Sequence, residues 1–357
     1  MSDARRCETG ADRLAEFAPP ELPYLPRTLT RPAPGIALIG CGGIAAYHLA
    51  AYRAAGYPVL ALYDVESARA EDLRDRFYPD ARVTSRVEEA IHCPGVEVID
   101  AATHPDPRVA IIEMALRAGK DVLSQKPLVT DLATGARLCD LAEAEGRLLA
   151  VNLNGRWAPH FSYMRQAIDA GLIGAVKAVT CSVHWDHNWT ADTAFNTLPD
   201  LILYDFGIHW FDILWCFFHG RAPRSITACA SVSPGQRAQP PLLASATVQF
   251  ERGQAAVVFH GDTPYGGWDT TVVVGEKGTL ISEGPDLNHQ SVRLYTEAGV
   301  AFPKLSGDWF TNGFHGTMAE LLYAREHGVT PHNNARSALE SLAWCFSARE
   351  HARSGAL

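Results

Sequence analysis

Residues 36–45, Ile36-Ala37-Leu38-Ile39-Gly40-Cys41-Gly42-Gly43-Ile44-Ala45, join a short apolar run to a glycine turn and the start of a helix. The turn reads G-x-G-x-x-A from Gly40 to Ala45, with Gly43 and Ile44 inside it. Each small residue has a separate use. Gly40 permits the tight turn, Gly42 lets a backbone approach a pyrophosphate, and Ala45 allows close helix–strand packing. The helix N-terminus beyond it offers free N–H groups and positive potential to phosphates. The next strand, 58–63, ends at Asp64, 24 residues after Gly40. An acid there accepts from both ribose hydroxyls of NAD and repels the extra phosphate of NADP, and Glu66 adds to that repulsion. Strand, glycine turn, helix, strand and acid in this register predict a dinucleotide site with NAD as its cofactor.

Working outward, 96–102, 121–124 and 148–151 are further short apolar runs separated by helical stretches. That alternation predicts a parallel sheet covered on both faces, an α/β Rossmann domain over 35–151. Before it, residues 1–34 hold Pro19, Pro20, Pro23, Pro26, Pro32 and Pro34, which forbid a continuous helix or central strand. An extended arm lying on a neighbouring surface through Leu22, Tyr24 and Leu25 is one reading, and a loose tail the other. After residue 152 the rhythm changes. A helix over 159–171 precedes a strand over 175–185 and a very apolar helix over 201–218. Strands then follow at 225–233, 243–251, 254–261, 269–274, 280–282 and 292–295, with helices at 314–327 and 334–352 closing the chain. Residues 152–357 are therefore expected to form an α+β domain with a large, mostly antiparallel sheet, used for substrate binding and oligomerisation.

Composition narrows the function classes. The chain has 357 residues, a formal charge of −9, 47% hydrophobic and 20% charged residues. It fills real cores, shows no basic footprint for nucleic acid, and has no apolar run of about 18 residues to span a membrane. Eight cysteines are scattered without a C-x-x-C pair, and Cys216 and Cys345 sit inside apolar runs as small hydrophobes. Arg5-Arg6 precedes no apolar stretch, so a twin-arginine signal is rejected. A reduced, cytoplasmic protein is the expectation.

Open α/β sheets bind ligands at the carboxyl ends of their strands. There lie Thr103-His104 after 96–102, Gln125-Lys126 after 121–124, and Asn154 with Arg156 after 148–151. A lysine desolvated in such a crevice exchanges protons with a hydroxyl, whereas an exposed loop lysine does nothing. On the apolar helix 201–218, Asp205, His209 and Asp212 fall within about 60° of one another, a polar stripe needing partners or a ligand. A self-satisfied Asp–His pair fixing the helix is the competing account. Gly207 points away from that stripe and reads as a close-packing glycine. At the end of 175–185, His184 and His187 would put their rings on opposite faces, so no metal site is expected. Trp185, His187 and Asn188 instead suit a sugar, with ring faces for C–H groups and polar tips for hydroxyls. His315 is a secondary candidate.

Together these residues resemble the Gfo/Idh/MocA family of oxidoreductases. The family pattern is E-K-P followed by D-x-G-x-H, matched here by Gln125-Lys126-Pro127 and by Asp205-Phe206-Gly207-Ile208-His209. The resemblance implies a set of Lys126, Asp205 and His209 around the substrate, with Arg156 fitting the pattern after the last Rossmann strand. Two departures stand out. Gln125 replaces the family glutamate, and Thr103-His104-Pro105-Asp106-Pro107-Arg108 replaces the usual segment after the fourth strand. The expected function is NAD-dependent hydride transfer at a ring carbon of a sugar, sugar derivative or cyclitol, by a homodimer or homotetramer. Alternatives are an NAD-dependent glycosidase-like enzyme and a non-catalytic NAD-sensing regulator.

Overall fold

The computed structural model describes residues 14–354. Six strands, β1 (Gly35–Ile39), β2 (Val59–Tyr63), β3 (Arg82–Val83), β4 (Val96–Ala101), β5 (Asp121–Gln125) and β6 (Leu149–Asn152), form one sheet. Their order is β3-β2-β1-β4-β5-β6, and every neighbouring pair is parallel. Helices α1 (Ala45–Ala55), α2 (Ser67–Phe77), α3 (Val87–Ile91), α4 (Pro105–Arg117) and α5 (Leu132–Ala144) fill the crossovers. Both faces are covered, which is why β1 and β5 are buried at every position and show no alternation. Strand order reverses at β1, beside β4, the position at which open α/β sheets take ligands at their carboxyl ends.

A second sheet has eight strands: β7 (Val176–His184), β8 (Ser225–Ser231), β9 (Leu243–Gln249), β10 (Gln254–His260), β11 (Asp269–Gly275), β12 (Gly278–Gly284), β13 (Ser291–Thr296) and β14 (Gly299–Ala301). The order is β14-β13-β12-β11-β7-β10-β9-β8, antiparallel except where β10 runs parallel to β7. In β10, Ala255, Val257 and Phe259 are buried and the alternate residues are not, as one covered face requires. Two short strands, β3 and β14, were not anticipated. With two and three residues, they are too short to show a period.

The helices of the second region are α6 (Pro159–Asp169), α7 (Ile208–Phe217), α8 (Trp309–His327) and α9 (Ala335–Ser354). One of them crosses back. Phe314, Met318, Leu321 and Leu322 of α8 share a core with Ile36, Leu38, Leu49 and Leu123, so α8 covers the parallel sheet beside α1. It starts five residues earlier than the apolar pattern suggested, because Asp308 caps it by accepting the Thr311 N–H at 2.7 Å.

The stretch 201–218 is not one α-helix. A π-helical turn, Ile202–Phe206, precedes α7, and the Gly207 N–H donates to the Ile202 carbonyl, five residues back, at 2.7 Å. A Cβ at 207 would lie 2.8 Å from the carbonyl oxygens of Ile202 and Leu203. Gly207 therefore serves its own wide turn rather than packing against another helix. The wide turn also rotates Asp205 out of the stripe a uniform α-helix would have made.

From residue 14 onward the proline-rich segment is an arm, laid on this same chain. The Phe17 N–H donates to the Val300 carbonyl, Ser162 Oγ to the Tyr24 carbonyl at 2.6 Å, and Tyr163 OH to the Pro20 carbonyl. Leu22 and Tyr24 pack against the core, whereas Leu25 faces solvent. Residues 1–13, including Arg5, Arg6 and Cys7, lie outside the described residues.

Candidate functional site

The glycine turn sits at the switch point. Gly40 has φ +98°, and a Cβ there would be 2.8 Å from Thr103 Cγ2 and 2.9 Å from the Ala102 carbonyl carbon. Only glycine allows the turn to close on the loop after β4. A Cβ on Gly42 or Gly43 would meet nothing within 4 Å, so the far side of the turn is open. Asp64, just past β2, accepts the Cys41 N–H at 2.7 Å and the Glu66 N–H at 2.9 Å. Its carboxylate is thereby fixed against the turn. Thr103 Oγ1 is buried beside Gly40 with no hydrogen-bond partner. An open glycine cradle, a pinned acid and an orphan hydroxyl together fit a dinucleotide, with phosphates on the turn and ribose on Asp64. His104, expected among the cofactor contacts, is exposed.

Two further residues tie this edge to Lys126, and the sequence reading missed both. Arg108 of α4 is 1% exposed and, among the described residues, has no carboxylate partner. Its guanidinium donates to the carbonyls of Thr103, Gln125 and Pro127, clamping the loops after β4 and β5 together. His48 of α1 is fully buried, and its Nδ1–H donates to Asp100 at 2.7 Å. The Lys126 N–H donates to Gln125 Oε1 at 2.7 Å, which turns the amide nitrogen of Gln125 toward His48 Nε2 at 3.2 Å. Asn152 also donates to that nitrogen, at 3.2 Å. That nitrogen thereby faces two amide donors, where a glutamate at 125 would present it with an acceptor. An acid inside the apolar strand Val98-Ile99-Asp100-Ala101 was the available signal that a buried partner existed.

Lys126 reaches across to the second region. Its ammonium donates to the Asp205 carbonyl at 2.7 Å and to the Asp205 carboxylate at 3.1 Å. The expected bare lysine is an ion pair, and Asp205 turns to Lys126 rather than to His209. The Nδ1 atom of His209 is buried without a partner, its ring lying across Trp309 at 5.7 Å between centroids. Gly155 makes this possible, since a Cβ there would sit 3.0 Å from the Trp309 ring and 3.8 Å from His209 Nδ1. Asn154 Oδ1 accepts the Trp309 indole N–H at 3.1 Å and so positions that ring.

An aromatic wall completes the site. Phe206 packs on His187 at 4.3 Å, His187 on Trp185 at 5.2 Å, and Trp185 on Trp210 at 5.1 Å. Trp185 donates its indole N–H to Asp269 at 2.7 Å. His184 lies on the other face of the sheet against His260, as the strand alternation requires. Among the described residues, no group of three or more His, Cys, Asp or Glu is set to hold a metal.

Other expected site residues are placed elsewhere. Arg156 is 1% exposed, and its fork is taken up by Asp212 at 2.6 and 2.7 Å and by the His332 carbonyl. The Asn188 amide donates to Asp186 in its own loop and to Asp262 after β10, and accepts the Arg237 N–H from the loop before β9. His315 shares a hydrogen bond with Tyr57 at 3.2 Å in the packing of α8 on the Rossmann side. None of the three joins Lys126 and His209.

Burial sets the charge of the histidines. It pushes His160 down to about 3 and His187 down to about 4, and burial plus the Lys126 charge hold His209 well below its usual range. Each ring is neutral when folded and gains a proton on unfolding below about pH 6.5. Native stability is therefore expected to fall as pH drops from about 6.5 to about 4, because the unfolded state binds more protons there. Asp269, pushed up to about 6 by burial, opposes this over its own window. Urea midpoints at pH 7.5 and 5 check the sign. Equal midpoints would contradict it.

The comparisons agree with this geometry. Residues 35–153 match the oxidoreductase family with NAD-binding Rossmann fold, and residues 161–281 match the Gfo/Idh/MocA C-terminal domain. Inositol 2-dehydrogenase of Rhizobium meliloti is 27% identical over 318 residues, 86% of this chain and 93% of that protein. D-apiose dehydrogenase of Paraburkholderia graminis is 27% identical, over 89% of this chain and 88% of its own. A structure of an oxidoreductase from Agrobacterium radiobacter in complex with NAD+, L-tartaric acid and magnesium shares the fold, with a TM-score of 0.80 and 19% identity. It covers 90% of this chain and 97% of that one. With a glycine cradle at a Rossmann switch point, a second, mostly antiparallel sheet, and a π-helical turn that brings Asp205 to Lys126, the chain belongs to the Gfo/Idh/MocA family of NAD-binding oxidoreductases.

Proposed function

We propose that the chain is an NAD-dependent dehydrogenase of a sugar, sugar derivative or cyclitol, acting on a CH–OH carbon. The observation that carries this is the Lys126–Asp205 ion pair beside a buried, neutral His209. When bound, the nicotinamide supplies reversible hydride-acceptor chemistry. The Gly40–Ala45 turn and Asp64 would hold the phosphates and ribose, with Thr103 and Gln125 beside them. Lys126 and His209 would share the hydroxyl proton, with His209 offering Nε2 because its Nδ1 is buried. Lys126 stabilises the oxygen as negative charge grows there, and Asp205 fixes the ammonium. Trp185 and His187 give the ring a flat apolar wall. A sensor has no use for this proton-handling set, and the dehydrogenase names among the relatives point the same way.

A screen of NAD reduction over inositols, aldoses, uronates and glycosides tests the reading. Net NADH formation with a free sugar or cyclitol is expected. Release of an aglycone without net NADH would instead establish the glycosidase-like reaction. With a substrate in hand, kcat/KM for NAD should exceed that for NADP. A preference for NADP would remove Asp64 from its role.

The outward face of the second sheet presents Leu243, Val258, Val272, Val274 and Ile281, half-buried or exposed. We propose that this face joins protomers into a dimer or tetramer. Light scattering at micromolar concentration should give at least twice the 38.8 kDa chain mass, and a monomer would refute it. No helix of the described residues is long and apolar enough to cross a membrane, and the described cysteines are free. A reducing compartment, the cytoplasm, is the proposed setting.

A further inference from the structure

A cavity of about 370 Å³ lies under the N-terminal arm, between residues 22–28 and helices α6 and α8. Its lining includes Tyr24, Arg27, Arg165, Gln166, Glu320 and His332. Arg165 is the unusual member. It is 7% exposed, its Nε is buried without a partner, and its Nη2 donates to a neutral acceptor, the Arg156 carbonyl, at 3.2 Å. Among the described residues no carboxylate pairs with it.

The other charges nearby are already matched. One oxygen of Glu320 takes Arg27 at 3.0 Å and the other takes the His332 N–H at 3.1 Å. Arg156 is committed to Asp212. The cavity therefore keeps one guanidinium without a carboxylate, set over the Trp157 ring at 5.6 Å and partly covered by the arm. Arg108 spends its buried fork on three carbonyls, whereas Arg165 has one, and the planar fork left over matches a carboxylate or a phosphate.

We propose that this cavity binds a small oxyanion, phosphate or carboxylate, gripped by Arg165 and closed in by the arm, as a site separate from the glycine cradle. Arg27, Gln166 and His332 offer further donors around it. The arm is then a cover for a ligand as well as a strap on the fold. This site stands apart from the proposed reaction, and either can fail without the other.

The test uses the full chain saturated with NAD, so that the Gly40–Ala45 turn is closed to phosphate. Inorganic phosphate and acetate are titrated at ionic strength matched with chloride, and both heat of binding and melting temperature are followed. Saturable binding of one of them, with a rise in melting temperature, is expected for the wild type and should vanish in Arg165→Gln. Arg165→Lys keeps the charge but loses the fork, and should bind about tenfold more weakly; it carries the test if the glutamine variant does not fold. Three results would overturn the proposal. They are no saturable binding of either anion, equal binding by wild type and both variants, and binding that appears only when NAD is absent.

Discussion

Lys126→Ala is expected to lower turnover by about 10²–10⁴, the usual worth of a positioned proton-handling group, while leaving NAD affinity nearly unchanged. The separation follows from placement. The glycine turn and Asp64 are held by the backbone of β1, β2 and the loop after β4, and none of those contacts passes through the Lys126 side chain. His209→Ala should lower turnover comparably. The double variant should lose less than the product of the two, because groups acting as a unit are non-additive. A structural role makes another forecast. Lys126 and Asp205 are mostly buried, so a pair that only joined the two regions would show its loss as a lower melting temperature at unchanged kcat. Asp205→Asn separates the cases further, since it keeps the side-chain shape and removes the counter-charge of Lys126. Thermal melts and steady-state kinetics on the four variants read the models apart. Full activity in a normally folded Lys126→Ala protein would end the catalytic reading.

Much of the Rossmann half was legible because its rules are local. A strand, a glycine turn and a helix follow one another along the chain, and the 24 residues from Gly40 to Asp64 are one crossover. The second region was harder for a physical reason. The 201–218 stretch is apolar nearly all round, so its pattern said only that it is buried, and a uniform α-helix was assumed for it. The turn at Ile202–Phe206 changed the phase, and the supposed stripe separated into two ion pairs with different partners, Asp205 with Lys126 and Asp212 with Arg156. Those partners are 79 and 56 residues away in the chain. Periodicity carries no information at that range. His48 with Asp100 and the carbonyl clamp of Arg108 were missed for the same reason, although a buried acid near the end of β4 marked that something had to hydrogen-bond it. The family resemblance singled out Arg156 but said nothing of the direction its side chain takes, toward Asp212.

That direction yields the largest expected effect on stability. Burial alone would lower the Arg156 guanidinium, yet the Asp212 carboxylate more than reverses this and holds it above its ordinary value. Both side chains are 1–2% exposed, so Arg156→Ala strands a carboxylate with no water to solvate it. A loss of about 3–5 kcal/mol is expected, a large part of the roughly 5–15 kcal/mol that holds a domain folded. Asp212→Leu should cost a similar amount by stranding the cation. The double variant Arg156→Met with Asp212→Leu removes both charges and restores packing, so it should be more stable than either single variant. Urea unfolding of the set measures this directly. Kinetics then discriminate between the two roles of Arg156. If its donors are spent on Asp212 and the His332 carbonyl, the folded double variant keeps the KM of the wild type. If the arginine instead grips substrate, KM rises by about tenfold or more while the single variants melt normally, as for a lost charge-assisted hydrogen bond of about 1.5–3 kcal/mol. The buried fork geometry requires the first result, and the second would return Arg156 to the substrate site.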